Sequence, residues 1–193
     1  GINGLWSDFG TKDEHIISIK KMNDALYHRG PDNVGIWNDF EENFYLGHTR
    51  LSILDLSLSG SQPMISHNER YVISFNGEIY NHLELKKEQE KINRGIRWRG
   101  HSDTEILLEM ISFNGLENAL QKCTGMFSLA LWDRKEKSLK LARDRIGEKP
   151  LYYGFCGSGV DKAFVFASEL SSFKALSYFN NAINAKALSQ LIN

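Results

Sequence analysis

An α+β layered domain is the fold class that the sequence predicts, on three observations: apolar residues spaced as on amphipathic helices, short strand-like runs bounded by turn residues, and hairpin-linked strands after Gly125. Helices gathered outside antiparallel strands set this class apart from a doubly wound parallel sheet.

The elements follow in order. Residues 2–6 are short and apolar and read as a strand at the beginning of the chain. Ile16, Ile19, Met22, Ala25 and Leu26 recur at helical spacing and predict a helix over residues 12–27, which Arg29-Gly-Pro-Asp32 breaks. Residues 34–37, 44–53 and 71–75 read as strands, the last running into Asn76-Gly77. A second helix is expected over residues 81–92. Ser102-Asp-Thr-Glu105 has the capping-box form just before Ile106, Leu107, Met110 and Ile111, so a third helix begins there. Residues 126–132, 138–142, 151–155 and 163–167 read as strands of an antiparallel meander, with a polar turn at residues 134–137.

A chain of 193 residues fits one domain, and its 41% hydrophobic content, with 11 Phe, 7 Tyr and 4 Trp, is enough to build a core. The formal charge of -1 excludes a field that would draw in nucleic acid. Arg94-Gly-Ile-Arg97-Trp98-Arg99 is the one basic run with an aromatic inside it, and is read as a solvated strand or loop. Two cysteines, Cys123 and Cys156, are too few for a disulfide framework and fit a reducing compartment. The opening segment lacks the basic and apolar regions of a leader, and no stretch approaches a membrane span, so a cytoplasmic protein without membrane contact is expected.

Several motifs remain: His28-Arg-Gly-Pro-Asp32, Gly47-His-Thr-Arg50-Leu-Ser-Ile53, Gln62-Pro-Met64, Asn76-Gly-Glu-Ile-Tyr-Asn81, Ser102-Asp-Thr-Glu105, Gly125-Met-Phe127 and Ala142-Arg-Asp-Arg-Ile-Gly-Glu-Lys-Pro150. In this order they resemble the glutaminase domain of asparagine synthetases, a class II glutamine amidotransferase, over nearly the whole chain; an ordered set is far more specific than any one motif. The resemblance implies an N-terminal-nucleophile hydrolase fold, a four-layer αββα sandwich with two antiparallel sheets, occupying residues 1–193 as one domain.

It also implies roles. The family's nucleophile is a cysteine followed by Gly-Ile, whose own α-amino group shuttles the proton, a task suited to a group titrating near neutrality. Here that cysteine would precede Gly1, and the polypeptide beginning at Gly1 is expected to hydrolyse no glutamine. Asn76 and Gly77 would form the oxyanion hole. Arg50 would grip the α-carboxylate of L-glutamine through its two-pronged guanidinium. Leu51, Ser52, Ile53 and Leu54 would line the site through their backbone, and Glu78 and Asp103 would meet the α-ammonium group.

Each has an ordinary reading beside the functional one. Arg50 reads as an exposed strand arginine, residues 51–54 as core, Asn76-Gly77 as a hairpin turn, and Asp103 as a carboxylate favoured in the first turn of a helix. Cys123 is read as a small buried hydrophobe rather than a substitute nucleophile, and Cys156-Gly-Ser-Gly-Val-Asp161 as a turn rather than a phosphate loop.

By the same resemblance the domain carries no cofactor or metal. It would pass ammonia to a C-terminal synthetase domain of the same polypeptide, which uses ATP and magnesium, and a homodimer is compatible with it. A related amidotransferase with a sugar or another carboxylate as acceptor, and a non-catalytic binding module, stay open as alternatives.

Overall fold

Burial along the strands dictates the layering in the computed structural model, which describes residues 1–51, 58–93, 95–182 and 185–192. The elements are β1 (Ile2–Ser7), α1 (Lys12–Ala25), β2 (Asn33–Asp39), β3 (Phe44–Arg50), β4 (Met64–Ile65), β5 (Tyr71–Ile79), α2 (His82–Ile92), α3 (Asp103–Asn114), α4 (Leu116–Lys122), β6 (Gly125–Asp133), β7 (Ser138–Arg143), β8 (Tyr152–Ser158), β9 (Asp161–Ala167), α5 (Leu170–Lys174) and α6 (Ala185–Ile192). Every residue of β3 is buried, as are residues 127–133 of β6, so both faces of these strands are covered. Strands covered on both faces belong to inner layers.

Two antiparallel sheets result. One has five strands in the order β2-β3-β1-β9-β8, and the other has four in the order β4-β5-β6-β7. Because side chains alternate between faces, each strand feeds two different cores. Phe44 and Leu46 of β3, Val72 of β5, Ala130 and Trp132 of β6, and Phe166 of β9 pack between the sheets. The intervening residues turn outward: Tyr45, Ala163 and Val165 meet Ile19 and Met22 of α1, while Ile73, Phe75 and Leu129 meet α3. Three apolar interfaces therefore separate four layers, helix, sheet, sheet and helix, as the resemblance implied.

Trp132 anchors the middle interface. Its ring is fully buried, stacks on Phe44 with centroids 4.2 Å apart, and meets Trp6 edge-on at 5.2 Å. Its indole N–H donates to Asp39 Oδ2 at 3.1 Å, so the one polar atom it buries has a partner.

The structure corrects several expectations. The strand expected over residues 44–53 ends at Arg50. The strands after Gly125 do not form one meander: the β6-β7 hairpin lies in the four-stranded sheet and the β8-β9 hairpin in the five-stranded one. Residues 144–151 cross between the sheets, a step that local turn signals do not encode. Asn76-Gly77 is not a hairpin turn but lies inside β5, opposite Ser128 and Phe127 of β6. Helix α1 ends at Ala25 and a 3-10 turn follows over Tyr27–Arg29.

The complete capping box belongs to α1, where Thr11 Oγ1 accepts from the Glu14 N–H and Glu14 Oε2 from the Thr11 N–H at 2.7 Å. At α3 only half of the predicted box forms. Ser102 Oγ accepts from the Glu105 N–H at 3.2 Å, but the Glu105 carboxylate turns to the N–H groups of Arg99 and Gly100 at 2.8 and 3.0 Å. The last two residues of the basic run are structural: Arg99 serves Glu105, and Trp98 donates to Glu90 Oε1 at 2.9 Å.

Replacing Trp132 by Ala is expected to lower the unfolding free energy by about 3–5 kcal/mol, the usual cost of deleting a buried large aromatic side chain. Urea titration of Trp132→Ala and Trp132→Phe measures it, the Phe variant retaining much of the packing without the bond to Asp39; equal stability of Trp132→Ala and wild type contradicts the assignment of this ring as the anchor.

Candidate functional site

A cleft of about 410 Å³ opens where the two sheets meet beside Gly1, lined by Arg50, Leu51, Asn76, Gly77, Glu78 and Asp103. These six positions, separate in sequence, converge as the sequence reading required. Ser52, Ile53 and Leu54 lie outside the described residues. His28, Arg29, His48, Thr49, Gly60, Gln62, Thr104 and Lys149 also line the cleft and were given no role from sequence. All but Gly60 sit inside motifs already noted, so the signal was present but not its chemistry.

The five-stranded sheet contributes Gly1 and Arg50. Gly1 O accepts from the Thr49 N–H at 2.9 Å, and the Gly1 amine donates to Thr49 O at 2.6 Å. Arg29 is paired with Glu169 at 2.6 Å, with His28 against the same carboxylate at 3.1 Å.

Arg50 ends β3 and is 8% exposed, so it is not the exposed strand arginine of the ordinary reading. Gly60 makes room for it, because a Cβ there would lie 2.1 Å from Arg50 Nη2. Leu51, by contrast, is 57% exposed on the rim and not in the core.

The four-stranded sheet contributes Asn76, Gly77 and Glu78, and its geometry depends on where pairing stops. β4 pairs only through Met64↔Ile73 and Ile65↔Val72, so β5 has a free edge beyond Ile73. Within a strand, residues 75, 77 and 79 aim their N–H and C=O groups to the same side. Here that side is the free edge: the Phe75 N–H donates to Gln62 Oε1 at 2.6 Å, and the Ile79 N–H to Asp103 Oδ2 at 2.8 Å.

Between them the Gly77 N–H faces the gap. Its register partner Phe127 is turned away from it, exchanging both of its backbone groups with Asp144 across the other side of β6. The reason for glycine here is the approach of that neighbour, since a Cβ on Gly77 would lie 2.2 Å from Met126 O. Asn76 projects from the opposite register, and its Nδ2 is buried with no hydrogen-bond partner in the structure. A buried amide donor without an acceptor is uncommon and marks a place where one can be supplied.

Charge in the cleft is set by burial. Asp103 Oδ1 accepts from the Thr104 N–H at 2.8 Å, so this carboxylate caps α3 and β5 together. Burial pushes its carboxyl upward, with the Glu78 charge adding to the effect, against the lowering by its two backbone bonds. His48 is pushed down to about 3, first by burial and then by the Gly1 ammonium, and its Nε2 lies 3.1 Å from Phe75 O. A carbonyl only accepts, so this nitrogen carries the proton of a neutral ring.

Lys149 reaches the cleft because Asp144 shapes the loop before it. Burial disfavours the Asp144 charge, but the N–H groups of Phe127, Gly147, Glu148 and Lys149 overcome it and hold the carboxyl down at about 2. Neither cysteine competes as a nucleophile, because burial pushes both thiols up to about 11. Among the described residues no group of three or more His, Cys, Asp or Glu side chains is arranged to hold a metal ion. No helix of the described residues is long and apolar enough to cross a membrane.

Four such layers with a cleft at the start of an inner strand define the class of N-terminal-nucleophile amidotransferase folds. The glutamine phosphoribosylpyrophosphate amidotransferase of Bacillus subtilis, solved with ADP and GMP, shares this fold with a TM-score of 0.71 and 22% identity, over 90% of this chain and 43% of that one. The model of the glutamine amidotransferase domain family matches residues 1–193, and the chain belongs to that family.

Among its relatives, glutamine-hydrolysing asparagine synthetase 1 of Bacillus subtilis is 42% identical over 154 residues, covering 80% of this chain and 23% of the relative. A putative glutamine-hydrolysing asparagine synthetase 2 of Methanocaldococcus jannaschii is 38% identical over 95% of this chain and 36% of its own length. Asparagine synthetase 3 of Bacillus subtilis is 34% identical over 99% of this chain and 30% of its own length. The chain thus spans between about a quarter and a third of these relatives.

Buried His48 gives a pH signature. It takes up a proton near 6.5 when unfolded and near 3 when folded, so between these values the unfolded state holds more protons and stability rises with pH. Chemical denaturation between about pH 4.5 and 6.5 should show the midpoint climbing, with His48→Gln removing its share; an unchanged slope in that variant would mean that His48 is not buried neutral.

Proposed function

We propose that the cleft binds free L-glutamine and hydrolyses its side-chain amide, with a cysteine immediately before Gly1 as the nucleophile. The observation that carries this reading is the open position at Gly77, flanked by capped N–H groups at Phe75 and Ile79, with the unpartnered Asn76 Nδ2 beside it and Gly1 at the same cleft. Two donors aimed at one vacancy suit an oxygen that gains charge during reaction.

On this reading the α-carboxylate of glutamine lies on Arg50 and the α-ammonium group between Glu78 and Asp103. The proposed positive contact comes from β3 and the negative ones from β5 and α3. Leu51, on the rim beside Arg50, borders the carboxylate end. The cysteine thiol gives its proton to the α-amino group of the same residue as its sulfur adds to the amide carbon. The oxyanion forms against Asn76 Nδ2 and the Gly77 N–H. Collapse of the intermediate breaks the C–N bond, the protonated amine returns its proton to the leaving nitrogen, and ammonia departs. Water then cleaves the thioester to glutamate and regenerates the thiol.

The acceptor is read from the relatives, whose names pair glutamine hydrolysis with asparagine synthesis; on this reading the ammonia passes to a synthetase domain outside this chain, for which ATP, magnesium and aspartate are proposed. ATP has no assigned place in the cleft described here. The buried thiols of Cys123 and Cys156 suit the cytoplasm.

Ammonia release from glutamine by a protein bearing cysteine before Gly1, with the polypeptide beginning at Gly1 as control, tests the reaction. Asn76→Ala should lower kcat by about 100- to 1,000-fold. Asp103→Asn and Arg50→Lys should raise KM by about 10- to 100-fold, the equivalent of one charged hydrogen bond. Glutamine affinity unchanged by both of these last two would remove the zwitterion assignment, and no ammonia from the cysteine-bearing protein would remove the function.

A further inference from the structure

The caps at Phe75 and Ile79 are not independent, and their connection leads to residues with no assigned role. Gln62 Oε1 accepts from the Phe75 N–H at 2.6 Å, and Gln62 Nε2 faces Thr104 Oγ1 at 3.4 Å. The Thr104 N–H donates to Asp103 Oδ1 at 2.8 Å, and Asp103 Oδ2 accepts from the Ile79 N–H at 2.8 Å. With the strand itself, these bonds close a ring around the peptide of Gly77. Gln62 and Thr104 are 8% and 4% exposed, so water offers little substitute for either bond.

The carbonyl of Phe75 is held as well, by His48 Nε2 at 3.1 Å from the opposite sheet. One residue before it, Ser74 Oγ donates to Gly47 O at 3.1 Å across the same interface. The backbone entering Asn76 is therefore fixed by side chains on its free edge and by the other sheet.

Resting on the glutaminase reading, we infer that Gln62 is a positioning residue: as the keystone of this ring it sets the Gly77 N–H and Asn76 Nδ2 for the oxyanion without itself contacting the reacting atoms. Glutamine suits the place because it offers an acceptor to Phe75 and a donor to Thr104 at once. Leucine has similar bulk and offers neither. Glutamate keeps an acceptor for Phe75, and its second oxygen accepts from the Thr104 hydroxyl.

The consequence is selective. A loosened ring impairs the transition state, where charge sits on the oxygen, and leaves ground-state glutamine binding at Arg50 and Asp103 largely intact. The full-length enzyme with its cysteine before Gly1 serves for the test, comparing wild type, Gln62→Leu, Gln62→Glu and Thr104→Val. Gln62→Leu should lower the kcat of ammonia release on the order of 10- to 100-fold with KM within about twofold, the usual cost of misplacing a reacting group by about an ångström. Thr104→Val should act in the same direction but less, and Gln62→Glu should recover kcat to within about threefold of wild type.

A second readout separates positioning from loss of folding. L-Glutamate γ-semialdehyde, whose adduct with the thiol carries an oxygen in the proposed hole, should lose affinity in Gln62→Leu in parallel with kcat, while glutamate should not. Loss of kcat in Gln62→Leu and Thr104→Val that only tracks their loss of folded protein in urea titration, or semialdehyde and glutamate affinities falling together, overturns the inference. Unchanged kcat in Gln62→Leu, with wild type active, overturns it while sparing the glutaminase reading; an inactive wild type sinks both.

Discussion

The early end of one β-ladder governs the rest of the site. β4 begins only at Met64, so β5 continues for six residues past its last pair on that side with peptide groups facing outward at 75, 77 and 79. Buried backbone donors are rarely left unmatched, and side chains take over where the strand gives out. Gln62 satisfies Phe75 and Asp103 satisfies Ile79. The position between them is where a donor stays directed at open space. Had β4 begun at Gly60 instead of Met64, the Met64↔Ile73 register would have carried the ladder to Gly77 and left no place for an incoming oxygen.

The same shortage of water sets the charges. Burial makes His48 a neutral donor to Phe75 and so a structural pin, not an acid or base of the cleft. It also raises the Asp103 carboxyl, against the pull of the Ile79 and Thr104 N–H groups that it accepts from. Asp144 shows the opposite outcome: enough backbone donors converge on it to keep it ionised despite burial, and the loop they build carries Lys149 to the cleft.

The sequence was most legible where periodicity and ordered motifs agree. Ile19 and Met22 mark the inner face of α1, and Ser102 caps α3 as its position in the motif predicts. Convergence of Arg50, Asn76, Gly77, Glu78 and Asp103 followed from the resemblance, not from any single motif. What failed was non-local. Asn76-Gly77 has the composition of a tight turn, yet β6 pairs along its whole length and holds it extended. Two hairpins of similar pattern joined different sheets, because the eight residues between β7 and β8 are shaped by Asp144 and not by their own turn propensity. β4 was invisible at two residues, and α4 at seven falls below the length at which a helical period registers. Gln62 was visible only as a motif letter, since its partners lie 13 and 42 residues away.

The location of Gly1 adds a mechanical argument. Chain ends commonly fray, but β1 lies between β3 and β9 and is bonded on both sides from its first residues. Thr49 binds the Gly1 carbonyl, while Ile2 exchanges bonds with Ser168 through its N–H to Oγ at 2.9 Å and its O from N–H at 2.8 Å. Under the proposed function, a residue attached to Gly1 inherits that rigidity, and the entropy of placing it is met in folding instead of at each turnover. Its distance from the oxygen-binding donors is then fixed by how the two sheets stack, through the Ser74–Gly47 and His48–Phe75 bonds and the Phe44–Trp132 stack. Nucleophile and oxyanion donors would thus be aligned by the stacked sheets of the domain, close-packed through their shared core, and not by its loops.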